Sequence, residues 1–179
     1  MSAHAFLRSV TRASHERVDA LFSRFDLGER NHYEHFLATQ AAAFLPIEQA
    51  LDDAGAASVL PDWHERRRGD HLRADLADLG VGIANPIEPP QFGSHEAMMG
   101  AVYVLEGSRL GGKMLSRSIG HDLPRRFLAG PQLRGGWKAL IAALELKLPS
   151  PVQREQAGRN AIMTFDCFFR AAALTMTPR

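Results

Sequence analysis

His15 and Asp19 stand four residues apart, so on a helix the carboxylate lies one turn beyond the imidazole. Such a pair suits metal ligation: one ring nitrogen binds the metal, while a hydrogen bond to the other sets tautomer and orientation. The same spacing also describes an ordinary core histidine satisfied by its neighbour. Farther along, Gly100, Gly107 and Gly111 fall seven and four residues apart with Gly112 beside them, leaving a bare stripe on one helix face. Each glycine inside a helix costs roughly 0.5–1 kcal/mol relative to alanine, so several together imply that something comes close to the backbone. Two occupants suit the stripe. One is a tightly packed second helix; the other is a flat macrocycle, against which the helix can kink while leaving room above a metal for a small diatomic molecule.

Other polar residues carry weaker signals. His32 and His35 are three apart near a helix start, but no acidic or cysteine partner nearby completes a metal site, and a surface role is expected. His64, His71, His95 and His121 fall at charged helix ends or in loops, where solvated roles prevail. The sequence has no phosphate loop, paired zinc motif or serine-nucleophile elbow.

The elements that must position these residues are helices. Val and Ile together number thirteen against forty-seven Ala and Leu, a balance that starves a parallel sheet and favours an all-α fold. A first helix is expected over 3–22, with Leu7, Thr11, His15, Val18 and Phe22 on its inner face. A second, over 31–54, turns Phe36, Ala43, Ile47 and Leu51 inward, is bent or broken at Pro46 and ends at Gly55. A third, over 64–79, stops at Gly80, and its charged run from Glu65 to Arg68 is expected to be a solvated face. Pro86, Pro89 and Pro90 make 81–93 a connecting loop. Ser94 caps the glycine-bearing helix, which stops near Gly120. After a short turn over 125–128, a helix over 136–147 buries Trp137, Leu140, Ile141 and Leu144. Ser150 and Pro151 open a last helix to about residue 174 that buries Ile162, Phe165, Phe169 and Ala173.

The 179 residues suit a single domain, 1–179, with one core, and 45% hydrophobic residues suffice to fill it. With 21 basic and 20 acidic residues the net charge is +1, so no global field draws the chain to nucleic acid or to a membrane surface. The lone Cys167 cannot form an internal disulfide, and the first residues lack the apolar core of a signal peptide; a cytoplasmic setting is expected. No apolar run reaches the length of a membrane span.

Two segments carry a resemblance. TRASHERVD, residues 11–19, resembles the proximal helix of haem oxygenases, and YVLEGSRLGG, residues 103–112, resembles the distal helix of their bacterial branch, especially members that accompany bacteriophytochromes. The resemblance extends in helix order over nearly the whole chain, but its specificity lies in these two strings. It implies a haem-oxygenase-like helical bundle holding haem, both cofactor and substrate, between the first helix and the glycine-rich distal helix. His15 would then be the axial iron ligand and Asp19 the acid that orients it. Gly107, Ser108, Gly111 and Gly112 would form the distal wall, and Arg8, with Lys138 a second candidate, would meet the haem propionates. The implied reaction cleaves haem to biliverdin, carbon monoxide and ferrous iron, using dioxygen and electrons from an external reductase or ferredoxin, with a bacteriophytochrome as a possible recipient of the biliverdin. Many family members have an aspartate where this chain has Ser108, whose hydroxyl can still join a water network but carries no charge. A haem-binding or storage protein that never turns over, and a haem-free relative of the same fold, are the alternatives.

Overall fold

The computed structural model describes residues 1–83, 85–130 and 133–176, among which there are eight α-helices and no strand. They are α1 (Ala3–Phe22), α2 (Arg30–Asp53), α3 (Trp63–Arg66), α4 (Gly69–Leu79), α5 (His95–Leu115), α6 (Arg126–Ala129), α7 (Gly136–Lys147) and α8 (Pro151–Met176). The all-α expectation holds. Among the described residues no helix is long and apolar enough to cross a membrane.

The last helix is the support for the others: α8 packs against α1, α2 and α5. Its buried residues are mostly small, with Ala157, Ala161, Thr164, Ala171 and Ala172 joined by Phe165 and Phe168. Small side chains let three neighbours approach one axis closely. The burial differs from the expected face in that Ile162, Phe169 and Ala173 are only half-buried. A helix touched on several sides has no single stripe for periodicity to find. Because α1 and α5 each lean on α8 rather than on each other, a cleft opens between them.

Local chemistry explains most helix ends. Ser2 Oγ accepts the Ala5 N–H at 3.1 Å, Ser94 Oγ the Ala97 N–H at 3.2 Å, and Ser150 Oγ the Gln153 N–H at 3.3 Å. In α2, Pro46 interrupts the hydrogen-bond ladder without breaking the helix. The proline has no N–H to give Ala42, and the Ala42 carbonyl instead accepts the Ile87 N–H at 2.8 Å, pinning the proline-rich loop to α2.

The start of α1 has a second cap from far along the chain. Glu145 of α7 accepts the Ala3 N–H at 2.9 Å and the His4 N–H at 3.0 Å. The Ala3 bond is the main cause of a lowered Glu145 pKa, with burial opposing it and the His4 bond reinforcing it. A carboxyl whose folded pKa lies below its unfolded one stabilises the fold above the unfolded value, and that gain is lost as pH falls through the folded value. Glu145→Gln should therefore lower stability at pH 7 by roughly 0.5–1 kcal/mol, and denaturant titrations should show the difference from the parent shrinking towards strongly acid pH.

The expected helix over 64–79 is two helices. Arg67 is extended (φ −61°, ψ 140°), and the chain restarts as α4 where the Arg68 and Gly69 N–H groups donate to Glu48 of α2 at 2.7 and 2.9 Å. The carboxylate sits so close that a Cβ at position 69 would lie 2.3 Å from Glu48 Oε1, so glycine is required there. The charged run is not a solvated face either: Arg66 and Arg68 are buried. On α4, fully buried Asp75 accepts the Phe127 N–H at 2.9 Å and Arg126 Nη1 at 3.1 Å, which holds α6 in place.

Candidate functional site

The cleft between α1 and α5 encloses about 550 Å³. Phe165 and Phe168 of α8 form its floor, Phe36 of α2 and Phe127 and Leu128 of α6 close its sides, and Trp137 of α7 borders it. From α1 it receives His4, Arg8, Arg12, His15 and Asp19; from α5 it receives Tyr103, Gly107, Ser108, Gly111 and Gly112. Both segments singled out in the sequence thus face the same space.

His15 does not enter the core with Leu7 and Thr11, as its place on the inner face suggested; its side chain is 59% exposed and borders the cleft. Its Nδ1 lies 3.0 Å from Asp19 Oδ2, and its ring meets Phe165 edge-on with centroids 5.6 Å apart. The carboxylate can only accept, so the neutral imidazole carries its proton on Nδ1 and keeps the Nε2 lone pair for a metal. Phe165 and Asp19 together restrict the ring from two sides.

The glycine stripe serves two purposes. A Cβ at Gly100 would lie 2.2 Å from the Ala157 carbonyl oxygen, so this glycine lets α5 seat on α8. At Gly107 and Gly111 a Cβ would meet nothing within 4 Å, because both border the cleft. Gly112 packs on Leu128, whose side chain would be 3.1 Å from an added Cβ. The helix remains α-helical through all four. Gly100→Ala should destabilise the protein by about 1–3 kcal/mol through overpacking, whereas Gly107→Ala should stabilise the haem-free protein by about 0.5–1 kcal/mol, as urea unfolding would measure. The same Gly107→Ala change should weaken binding of a flat ligand by narrowing its slot.

Ser108 is exposed to the cleft and bonded behind it. Its Oγ donates to the Leu105 carbonyl at 2.7 Å and accepts from Arg68 Nη2 at 2.7 Å. Arg68 also donates to the Leu105 carbonyl at 2.7 Å, and its guanidinium lies over the rings of Phe44 and Phe127 at 4.9 and 4.8 Å. Burial, then repulsion from Arg109, pulls the Arg68 pKa down to about 9, with Glu106 and Glu48 opposing, so the group remains charged at neutral pH. Arg68 was invisible as a site residue in the sequence, being one of three consecutive arginines.

A buried ionic network braces the helix behind this wall. Arg66 donates to Glu106 Oε2 at 2.8 Å, to Asp62 at 2.7 Å and to the Gly136 carbonyl at 3.0 Å. Arg109 donates to Glu106 Oε1 at 3.1 Å and also to the Arg66 carbonyl. Burial works against the Arg66 charge, but its bonds to Asp62 and the nearby Glu106 raise its pKa overall.

One part of the cleft is basic and aromatic. Arg8 lines it as expected, joined by Arg12 and by a cluster in which His4 meets Trp137 at 5.8 Å and Tyr103 at 6.2 Å. Sequence reasoning passed over His4, Arg12 and Tyr103, although 4, 8 and 12 share one stripe of α1 and Tyr103 precedes Gly107 by one turn. Lys138 is exposed and is not among the residues lining the cleft.

No group of three metal-ligating side chains occurs among the described residues. His32 Nδ1 accepts the Asp26 N–H at 3.1 Å, and His35 Nδ1 lies 2.7 Å from the Asn31 carbonyl, both at exposed sites. A haem needs only one protein ligand to its iron, an apolar slot for its ring and cations for its carboxylates. His15, the bare Gly107 and Gly111 surface, the phenylalanine floor, and Arg8 with Arg12 meet those needs.

No protein-family model matches the chain. It is 32% identical over 138 residues to a haem oxygenase of Xanthomonas campestris, a match spanning 74% of this chain and 83% of that protein. It is 29% identical over 173 residues to the haem oxygenase PigA of Pseudomonas aeruginosa, covering 90% and 87% of the two chains. Its fold matches that of a haem oxygenase from Neisseria meningitidis solved with NO and CO bound, with a TM-score of 0.82 over 98% of this chain and 92% of the other at 23% identity. With a fold shared along almost its entire length and a relative matched over most of that protein at nearly one residue in three, the chain belongs to the haem oxygenase family.

Proposed function

We propose that the cleft between α1 and α5 is where this protein, as one domain, binds haem and cleaves it to biliverdin, with carbon monoxide and ferrous iron as the other products. Bound haem supplies the redox chemistry, using dioxygen and electrons from an external donor. The observation that carries the site assignment is the His15–Asp19 pair standing across the cleft from a helix that is bare at Gly107 and Gly111.

His15 would hold the haem iron through Nε2, with Asp19 keeping the proton on Nδ1 and so fixing the ring's orientation. Gly107 and Gly111 leave the distal side without Cβ atoms, and Gly112 lets α5 rest on Leu128. Ser108 offers its hydroxyl oxygen to a water that can pass a proton into the cleft. Arg8 and Arg12 suit the two propionates; Lys138 is less suited, because it does not line the cleft. The electron donor is a reductase or a ferredoxin, the setting is cytoplasmic, and a bacteriophytochrome is a fitting recipient of the product.

Hemin titration followed by ascorbate or a reductase under air, with the visible spectrum recorded, tests this reading. A haem band should form and give way to the broad red absorption of biliverdin. A band that persists under several reductants would favour haem storage instead, and no band at all would overturn the assignment of the cleft.

A further inference from the structure

We propose that Phe165 is a positioning residue for His15: from α8 it sets the plane in which the imidazole is presented to the cleft, while Asp19 settles which nitrogen faces it. The inference rests on the assignment of the cleft to haem. A histidine ring turns about a bond whose torsion is broad and roughly two-fold, so nothing within the residue selects its plane. Packing or a hydrogen bond must do so. The carboxylate of Asp19 can only accept, and its bond to Nδ1 therefore decides the tautomer and leaves Nε2 for the cleft. As a restraint on the plane that bond is weak. The two side chains are 59% and 64% exposed, stand one turn apart on the same helix and are open to competition from water. An exposed aspartate that changes rotamer lets the ring turn with it.

Phe165 is a restraint of another kind. It is 9% exposed and belongs to the helix that supports α1, α2 and α5, so its phenyl group has little freedom to move. Its ring stands at 82° to that of His15 with centroids 5.6 Å apart, the perpendicular arrangement that aromatic pairs favour. Beside this contact, Arg17 lies over the Phe169 ring at 4.2 Å and comes within 3.8 Å of Asp166, which keeps α1 in register on α8. Phe168 shares the floor of the cleft, but among the described residues the ring contact of His15 is with Phe165 alone. The plane of an axial imidazole selects the π-type d orbital of iron with which it overlaps, and so the electronic axes across the porphyrin. A ring free to turn would average over them; one held against Phe165 presents a single plane.

The test is proton NMR of the haem-loaded protein in its cyanide-bound ferric form, in which the order and spread of the haem methyl shifts follow the plane of the axial imidazole. Phe165→Leu removes the ring contact, whereas Phe168→Leu removes a comparable part of the same floor without a ring contact to His15. Haem affinity should fall about two- to fivefold in both, since both lose apolar contact. The methyl shifts should separate them: in Phe165→Leu their spread should shrink by about half as the ring samples several planes, and in Phe168→Leu their order and spread should stay parental. Parental shifts in Phe165→Leu, or an equal change in Phe168→Leu, would refute the role. Should Phe165→Leu fail to fold, the parent decides. Its cyanide-bound form should show nuclear Overhauser contacts between the His15 and Phe165 rings, and their absence would sink the proposal. Failure of the parent to take up haem would instead count against the cleft assignment itself.

Discussion

His15→Ala is expected to bring biliverdin formation down by at least about a hundredfold while leaving the haem-free protein folded. The two halves of this expectation have separate causes. The side chain is 59% exposed and its one polar partner, Asp19, is itself open to solvent, so its removal should change stability by no more than about 0.5 kcal/mol. Loss of the imidazole, however, removes the group offered to the iron, and no second histidine of α1 replaces it, since His4 sits three turns away against Trp137. Added imidazole should restore part of the haem spectrum. Asp19→Asn should give a smaller loss, about tenfold, because it disturbs the orientation and basicity of the ligand without removing it. Visible spectra and product absorption measure all three, and a His15→Ala protein that turns over haem at the parental rate would remove His15 from the site.

Loss of stability should be greatest at Arg66. Its side chain is fully buried and holds together Asp62, Glu106 and the Gly136 carbonyl, linking α3, α5 and α7. Arg66→Ala leaves a buried carboxylate short of one partner and empties the space of a fully buried side chain, at an expected cost of about 3–5 kcal/mol in urea unfolding. Glu106→Gln added to Arg66→Ala should recover part of that cost, because the uncompensated charge goes with it. Glu106 immediately precedes Gly107, so the single variant should also loosen the distal wall and weaken haem binding. A loss below about 1 kcal/mol would mean that water enters and replaces the guanidinium.

The sequence alone was enough for the helical class, for α1 to the residue, and for the two segments that face each other across the cleft. These features are local. Side-chain spacing at three and four residues puts His15 against Asp19 and lines up Gly107 with Gly111, whatever the rest of the chain does. The serine caps before His95 and Pro151 are equally local and formed as expected, and Ser2 caps α1 in the same way.

Everything that depended on which distant group comes to lie beside a residue was decided by the tertiary structure. Glu65 to Arg68 has the composition of a solvated helix face, and only the arrival of Glu48 from α2 and Glu106 from α5 turns Arg66 and Arg68 inward and ends α3. The glycine stripe shows one periodicity, yet Gly100 meets the backbone of α8 while Gly107 meets the cleft, a distinction set by where α8 ends its contact with α5. The sequence offered Lys138 as a cation and passed over Arg12, yet Arg12 lines the cleft and Lys138 does not. Periodicity reports the face of a helix, whereas the worth of a charge depends on its partners and its distance from water, and those are fixed only when the helices pack.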